Sequence, residues 1–273
     1  MDRTLGLWRR SAAEGLAAFA LVFAGCGAIV ASAEYEGALG NVGIALVFGL
    51  VIMAMVYATG HLSGAHINPA VTLAFTLTRH FPAREAAAYI AAQLIGAGMA
   101  ALLLLAVWTD QPAELGATVP HVGAGSAVVY ELVMTALLMF VIMAVATDTR
   151  AAGAAAAIAI GGAVGLDALF GGPVTGASMN PARSFGPALA SATWTDFWVY
   201  VVGPVLGAAA GAIAYQVVRG EHPGPAGLTD EAVERGLGMS RGERPRPDPL
   251  GDGQVSSRGA PAASRRGPQS RRA

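Results

Sequence analysis

Charged residues are scarce in this sequence. They make up 13% of the 273 residues, against 54% hydrophobic residues, and none of the seventeen basic residues is lysine. A chain with so little charge and so much apolar surface does not have the composition of a disordered or an ordinary water-soluble protein. The net charge of −1 says little about partners, and we expect no nucleic-acid partner for a chain of this composition. Composition therefore predicts a protein of the lipid bilayer.

Cysteine is almost absent as well. The single Cys26 excludes an intrachain disulfide and is expected to be a packing residue. The sequence also lacks a cluster of His, Cys, Asp and Glu at metal-ligand spacing, a nucleophile triad and a phosphate-binding glycine loop. We therefore expect neither an enzyme nor a metal or cofactor site.

The sequence contains several long apolar runs without a charged residue. Each is long enough for a membrane-spanning helix of about 20 residues, and the run 37–78 is much too long for one. Two further apolar stretches are interrupted only by Glu131 and by Asp167. The predicted spanning helices are 11–33, 40–60, 84–108, about 124–147, about 153–170 and about 196–218.

One short phrase occurs twice. Ser-Gly-Ala-His-Ile-Asn-Pro-Ala-Val at 63–71 is followed 112 residues later by Thr-Gly-Ala-Ser-Met-Asn-Pro-Ala-Arg at 175–183. Asn is preferred at the N-cap of a helix and Pro at its first position, so each copy predicts a helix start, at Asn68 and at Asn180. Both starts lie in apolar surroundings. A half-helix that begins inside a hydrophobic stretch indicates a binding or permeation site at mid-membrane.

The two copies divide the chain into two halves, about 11–108 and about 124–218. Each half holds three spans and one half-helix, so the second half must run in the opposite sense, which is an inverted repeat. Arginine falls on one side of this arrangement, apart from Arg183, and predicts that both termini are cytoplasmic. The stretch 219–273 is rich in Pro, Gly, Ser and Arg and is predicted to be a disordered tail.

The two asparagines can select a solute by charge. As an N-cap, each would use its side-chain oxygen on amides of its own half-helix and keep its NH₂ donors for the axis between them. A solute between Asn68 and Asn180 would meet two donors and two positive helix ends. Cations are opposed there, whereas a neutral molecule with a lone pair is accepted.

The two Asn-Pro-Ala motifs and their flanking residues carry a resemblance to a known family. The motif residues lie within His-Leu-Ser-Gly-Ala-His-Ile-Asn-Pro-Ala-Val-Thr and Gly-Pro-Val-Thr-Gly-Ala-Ser-Met-Asn-Pro-Ala-Arg-Ser-Phe-Gly-Pro-Ala. Over about 11–218 the chain resembles the aquaporin, or major intrinsic protein, family. The resemblance implies an all-α fold of six transmembrane helices and two half-helices, assembled as homotetramers in the cell membrane. Its motif residues here are Asn68, Pro69, Ala70, Asn180, Pro181 and Ala182.

The same resemblance implies a narrow selectivity filter. In the family an arginine follows the second motif, and Arg183 matches it. The other filter positions fall at Phe48, Ala168 and Ala177. Strictly water-selective relatives have His where this chain has Ala168, so the filter is expected to be wider and less polar. The second phrase is also similar to that of plant nodulin-like intrinsic proteins, some of which pass glycerol, urea or metalloid acids.

Glu14 and Glu131 are repeat-related carboxylates at the starts of the first and fourth spans. A carboxylate inside a membrane is costly and needs partners. The loops before the half-helices have backbone amides that need acceptors, so these glutamates could brace the loops. The alternative is a proton-relay pair in a coupled transporter. The family resemblance carries structural glutamates at these two places.

The sequence thus predicts a passive channel for water and small uncharged solutes that excludes protons and ions. The alternative within this class is a glycerol, urea or metalloid facilitator with water secondary. A secondary active transporter also uses inverted repeats and broken helices. A junctional scaffold without transport is a third class.

Overall fold

The computed structural model describes residues 4–148 and 155–220. Within these ranges the structure is helical, with no strand, and six helices are long and apolar enough to cross a membrane. The predicted tail lies outside the described residues apart from its first two. The helices are α1 Leu7–Glu34, α2 Gly40–Ser63, α3 Pro69–Leu77, α4 Ala83–Val107, α5 Ala124–Thr147, α6 Ala156–Thr175, α7 Pro181–Ser191 and α8 Val199–Arg219.

The helices pair according to an internal repeat. α1 packs on α4 in the first half as α5 packs on α8 in the second, and α2 packs on α6 across the halves. The short helices exchange halves, because α3 packs on α8 and α7 packs on α4. The predicted fold class, six spanning helices and two half-helices in an inverted repeat, is confirmed.

Close approach of α5 and α8 depends on glycine. A Cβ atom added at Gly203 would lie 2.7 Å from Cβ of Glu131, and one at Gly207 or Gly211 would collide with backbone carbonyls of α5. Small residues at such positions allow helix backbones to meet within a membrane. This packing places Glu131 in the interior, next to the backbone of α8.

The end of α6 differs from the sequence prediction. The helix continues to Thr175, five residues beyond the predicted end, and includes Pro173. Proline has no N–H for the carbonyl four residues earlier, that of Leu169. The side-chain amide of Asn41 donates to this carbonyl oxygen at 2.7 Å, which supplies the missing hydrogen bond from another helix. The predicted start at 153 lies outside the described residues.

The start of α1 also differs. The helix begins at Leu7 instead of residue 11, so Arg10 lies inside it and is buried. The guanidinium of Arg10 forms an ion pair of 2.7 Å with Glu85 at the start of α4. This pairing compensates the charge, which allows an arginine within the first turn of an apolar helix.

Candidate functional site

The loops before α3 and α7 have the same unusual backbone. Gly64 and Gly176 end the preceding helices in the left-handed region, at φ of 95° and 85°, which glycine adopts without steric cost. Non-glycine residues then follow with positive φ at matching positions of the two repeats. Such residues cost free energy and require support from their surroundings. They are Ala65 and Ile67 in the first loop, and Ala177 and Met179 in the second.

Glu14 contacts the first of these loops. Its carboxylate accepts hydrogen bonds from the backbone N–H of His66 at 2.9 Å and of Ile67 at 2.6 Å. It also accepts from the hydroxyl of Ser63 at 2.6 Å and from the side-chain amide of Gln93 at 2.9 Å. Glu14 is 0% exposed, and four donors surround its charge.

Glu131 has the same relation to the second loop. It accepts from the backbone N–H of Ser178 at 2.9 Å and of Met179 at 2.7 Å, and from the hydroxyl of Thr175 at 2.7 Å. Both predicted glutamates therefore lie against loop amides. No hydrogen bond corresponding to that from Gln93 reaches Glu131 within the described residues.

One tyrosine in each repeat also holds the loop by a hydrogen bond, and sequence reasoning did not assign this role to either of them. The hydroxyl of Tyr89 donates to the carbonyl of Ser63 at 2.9 Å, and that of Tyr200 donates to the carbonyl of Thr175 at 2.6 Å. Both tyrosines are fully buried. Their separation of 111 residues, close to the 112 of the motifs, is the signal in the sequence that could have identified them.

The asparagines cap the half-helices. The Oδ1 atom of Asn68 accepts from the backbone N–H of Ala70 at 2.8 Å, and that of Asn180 accepts from Ala182 at 3.0 Å and Arg183 at 3.3 Å. Both caps satisfy amides that have no partner within the helix. Pro69 and Pro181 follow at the first helical positions.

Each asparagine NH₂ group already donates one hydrogen bond within the protein, which differs from the sequence prediction that both groups are free to face the axis. Asn68 Nδ2 donates to the carbonyl of Met179 at 2.7 Å, and Asn180 Nδ2 donates to the carbonyl of Ile67 at 3.0 Å. Ile67 and Met179 are buried loop residues outside any helix, so their carbonyls need donors from elsewhere. Each amide group keeps one further N–H donor.

Two cavities meet at the four predicted filter residues. An inner cavity of about 70 Å³ is lined by both asparagines, by the loop residues and by apolar side chains of α2, α5 and α6. An outer vestibule of about 390 Å³ lies beside the connection between the repeats. The residues that line both cavities include Phe48, Ala168, Ala177 and Arg183.

The guanidinium of Arg183 contacts a backbone carbonyl and an aromatic ring. Its Nη1 atom donates to the carbonyl of Gly116 at 2.7 Å, and its guanidinium carbon lies 5.0 Å from the ring centroid of Phe48. Its Nε atom has no hydrogen-bond partner among the described residues. The residue is only 2% exposed and lines both cavities, so it places a buried positive charge where the two cavities meet.

Two further titratable residues, His66 and Asp167, lie in or near this region. His66 is packed among the rings of Phe75, Phe81 and Tyr89, and its Nδ1 lies 3.1 Å from the hydroxyl of Thr72. Asp167 is buried, and neither of its carboxylate oxygens has a hydrogen-bond partner in the described part of the chain. In residues 4–148 and 155–220, no three His, Cys, Asp or Glu side chains are grouped so that they could hold a metal ion.

Comparisons with known proteins agree with this geometry. The family model described as major intrinsic protein matches residues 1–215. The chain is 52% identical over 207 residues to aquaporin NIP1-4 of Oryza sativa subsp. japonica, covering 76% of each chain. It is 47% identical over 207 residues to nodulin-26 of Glycine max, again covering 76% of each. The X-ray structure of the aquaglyceroporin from Plasmodium falciparum is similar with a TM-score of 0.68 at 26% identity, covering 77% of this chain and 96% of that one.

Proposed function

Because this chain belongs to the major intrinsic protein family, we propose that it is a passive membrane channel for water and small uncharged solutes that excludes protons and ions. One observation carries the proposal. The inner cavity and the outer vestibule share the lining residues Phe48, Ala168, Ala177 and Arg183. A solute that passes from one cavity to the other must pass these four side chains, which therefore form the proposed filter.

The asparagine pair is proposed to orient each solute at the centre. Asn68 and Asn180 cap the two half-helices, and each donates to the loop before the other half-helix, so two positive helix ends lie close together at the centre of the path. The remaining N–H groups engage the oxygen of a passing water molecule. A water held as an acceptor by both amides does not relay a proton along one hydrogen-bonded chain, and a cation is repelled.

Arg183 is proposed to donate to solutes in the filter and to repel cations. Two of the other filter side chains are methyl groups, at Ala168 and Ala177, so the passage is wider than one lined by histidine. This width favours a second candidate, a facilitator for glycerol, urea or metalloid acids with water secondary. The similarity to nodulin-26 and to an aquaglyceroporin supports the same candidate.

Glu14 and Glu131 are proposed to brace the loops. Every carboxylate oxygen of the two accepts at least one hydrogen bond, from loop amides in particular. A proton-relay residue must release and take up protons at an accessible oxygen, whereas both glutamates are fully buried. This favours a passive channel over a coupled transporter.

Residues 1–218 are proposed to form one channel domain that assembles as a homotetramer in the plasma membrane, with both termini cytoplasmic. Arginine on one side supports the orientation. Large apolar side chains exposed on α2 and α6 support contacts with lipid or with further copies. They include Leu46, Leu50, Ile158, Leu166 and Leu169.

Uptake of labelled glycerol and urea into proteoliposomes tests this function against active transport. A passive channel brings the internal concentration to the external concentration and no further, and an imposed proton or sodium gradient leaves this end point unchanged. Accumulation above the external concentration under either gradient would refute the channel. Uptake equal to that of protein-free liposomes for water, glycerol and urea would refute both candidates.

A further inference from the structure

In each repeat, three hydrogen-bonded side chains hold the start of the half-helix. Two of the three occupy equivalent positions in the two repeats, and the third comes from a different part of the chain. In the first repeat, the hydroxyl of Thr72 on α3 bonds to His66 in the loop and to the carbonyl of Asn68. The side-chain amide of Gln93 donates to this hydroxyl at 3.1 Å. Since Gln93 belongs to α4, the first site is completed from within its own repeat.

In the second repeat, Ser184 and Ser178 occupy the positions of Thr72 and His66, 112 residues later. The hydroxyl of Ser178 donates to the carbonyl of Asn180 at 2.9 Å, and the hydroxyls of Ser178 and Ser184 lie 2.6 Å apart. The third member is Thr118, whose hydroxyl lies 2.7 Å from that of Ser184. Thr118 lies in the connection between the repeats, outside both of them.

The proton direction in this chain of hydroxyls follows from counting donors. Each hydroxyl has one proton. Because Ser178 donates to the carbonyl of Asn180, Ser184 must donate to Ser178, and Thr118 must donate to Ser184. The three hydroxyls thus form one directed chain that ends on the backbone of Asn180. All three residues are buried, with 6% exposure or less.

The segment just before Thr118 is a strained turn. Gln111, Ala113, Glu114 and Leu115 all have positive φ, between 47° and 56°, and Gly116 has 78°. Successive left-handed residues that are not glycine cost free energy and persist only when neighbouring contacts impose them. Leu115 is fully buried, and the hydroxyl of Thr118 ties the other end. The carbonyl of this turn's Gly116 is the one that holds the Nη1 atom of Arg183.

We infer that Thr118 is a positioning residue for Arg183: its hydroxyl takes the place that Gln93 has in the first repeat and fixes the strained turn whose carbonyl holds the guanidinium out of the path. The inference rests on the proposed channel function. Without the hydroxyl, the turn relaxes and the Gly116 carbonyl moves away. The guanidinium then loses its hydrogen-bond acceptor and extends across the passage between the other three filter side chains, where it obstructs solutes.

Thr118→Val tests this inference because it removes the hydroxyl and keeps the shape. In stopped-flow measurements on proteoliposomes, normalised to the amount of reconstituted protein, water permeability per channel is expected to fall by up to about fivefold, because loss of one neutral hydrogen bond changes the ratio of the two guanidinium positions by about this factor. Glycerol permeability is expected to fall further, since glycerol is larger. Thr118→Ser keeps the hydroxyl and should restore both permeabilities.

Two further variants make the test specific. Thr147→Val removes a hydroxyl whose one hydrogen bond within residues 4–148 and 155–220 is to the carbonyl of Met143 in its own helix, and it should conduct as the wild type does. Ser184→Ala breaks the same hydroxyl chain as Thr118→Val, and the double variant should be no slower than either single one. Ser184→Ala also carries the test if Thr118→Val does not fold.

Wild-type water permeability in Thr118→Val and Ser184→Ala would overturn the inference, as would a Thr118→Ser channel as slow as Thr118→Val. A double variant slowed by the product of the single effects would also contradict it. These outcomes are distinct from failure of the proposed function, in which the wild-type protein itself would be no more permeable than protein-free liposomes.

Discussion

Asn68 donates a side-chain hydrogen bond of 2.7 Å to the backbone carbonyl of Met179, which lies 111 residues further along the chain. Asn180 returns the same contact to Ile67. Each half-helix start is therefore fixed by the loop of the other repeat, and neither asparagine can move without disturbing the opposite loop. The side-chain NH₂ groups of the two asparagines are therefore fixed in position by the protein itself. Selection of solutes by an electrostatic field requires donors that are fixed in this way.

Asn180→Asp should admit cations. The substitution replaces the NH₂ group that donates to the carbonyl of Ile67 by a carboxylate oxygen, and it adds a negative charge between two helix ends. We expect cation leakage in liposomes to rise about tenfold, because the positive field at the centre is cancelled. Unchanged ion exclusion in Asn180→Asp would contradict the assigned role.

Arg183→Val should raise the leak of protons and cations. Arg183 is the buried positive charge where the two cavities meet, and valine removes both this charge and the donors that hold a solute. The expected increase is about tenfold, measured with a pH-sensitive dye inside liposomes. The control is Arg84→Val, on the exposed start of α4. Equal proton and cation leakage in the two variants would contradict the proposal that Arg183 excludes cations.

Ala168→His should make the channel more selective for water. Histidine adds bulk and a polar group to the filter, so glycerol is expected to lose about tenfold in permeability relative to water. Ala168→Leu separates the two effects, because it adds bulk without a polar group and should reduce water as well. If Ala168→His has the same ratio of glycerol to water permeability as the wild type, the assignment of Ala168 to the filter is wrong.

Glu131→Gln should destabilise the protein. A glutamine offers one acceptor oxygen where the carboxylate offers two, so the N–H of either Ser178 or Met179 would face an NH₂ group. Leaving one buried amide without an acceptor is expected to cost about 2 kcal/mol. The melting temperature in detergent should fall accordingly, whereas Glu34→Gln, on an exposed residue, should not change it. If the two variants melt at the same temperature, Glu131 does not brace the loop.

Local chemistry made much of the fold predictable. Asn followed by Pro gave the starts of α3 and α7, since capping involves residues close in the chain. The absence of charge gave the spanning helices, and the bounds of α5 agree with the prediction of 124–147.

The features that the sequence did not predict depend on partners far apart in the chain. α6 continues through Pro173 because Asn41 bonds to the carbonyl of Leu169, 128 residues away. α1 begins early because Arg10 pairs with Glu85, 75 residues away. The hydroxyl of Thr118 contacts Ser184 across 66 residues. A threonine in a polar connection has no periodicity or motif that would reveal such a contact.

Water and proton flux measured together in the same proteoliposomes test the central claim most directly. Light scattering after an osmotic step reports water, and a pH-sensitive dye in the lumen reports protons under an imposed pH gradient. The account predicts water flux well above that of protein-free liposomes, with proton flux equal to theirs. Proton flux that rises with the amount of wild-type protein, or water flux equal to that of protein-free liposomes, would contradict it.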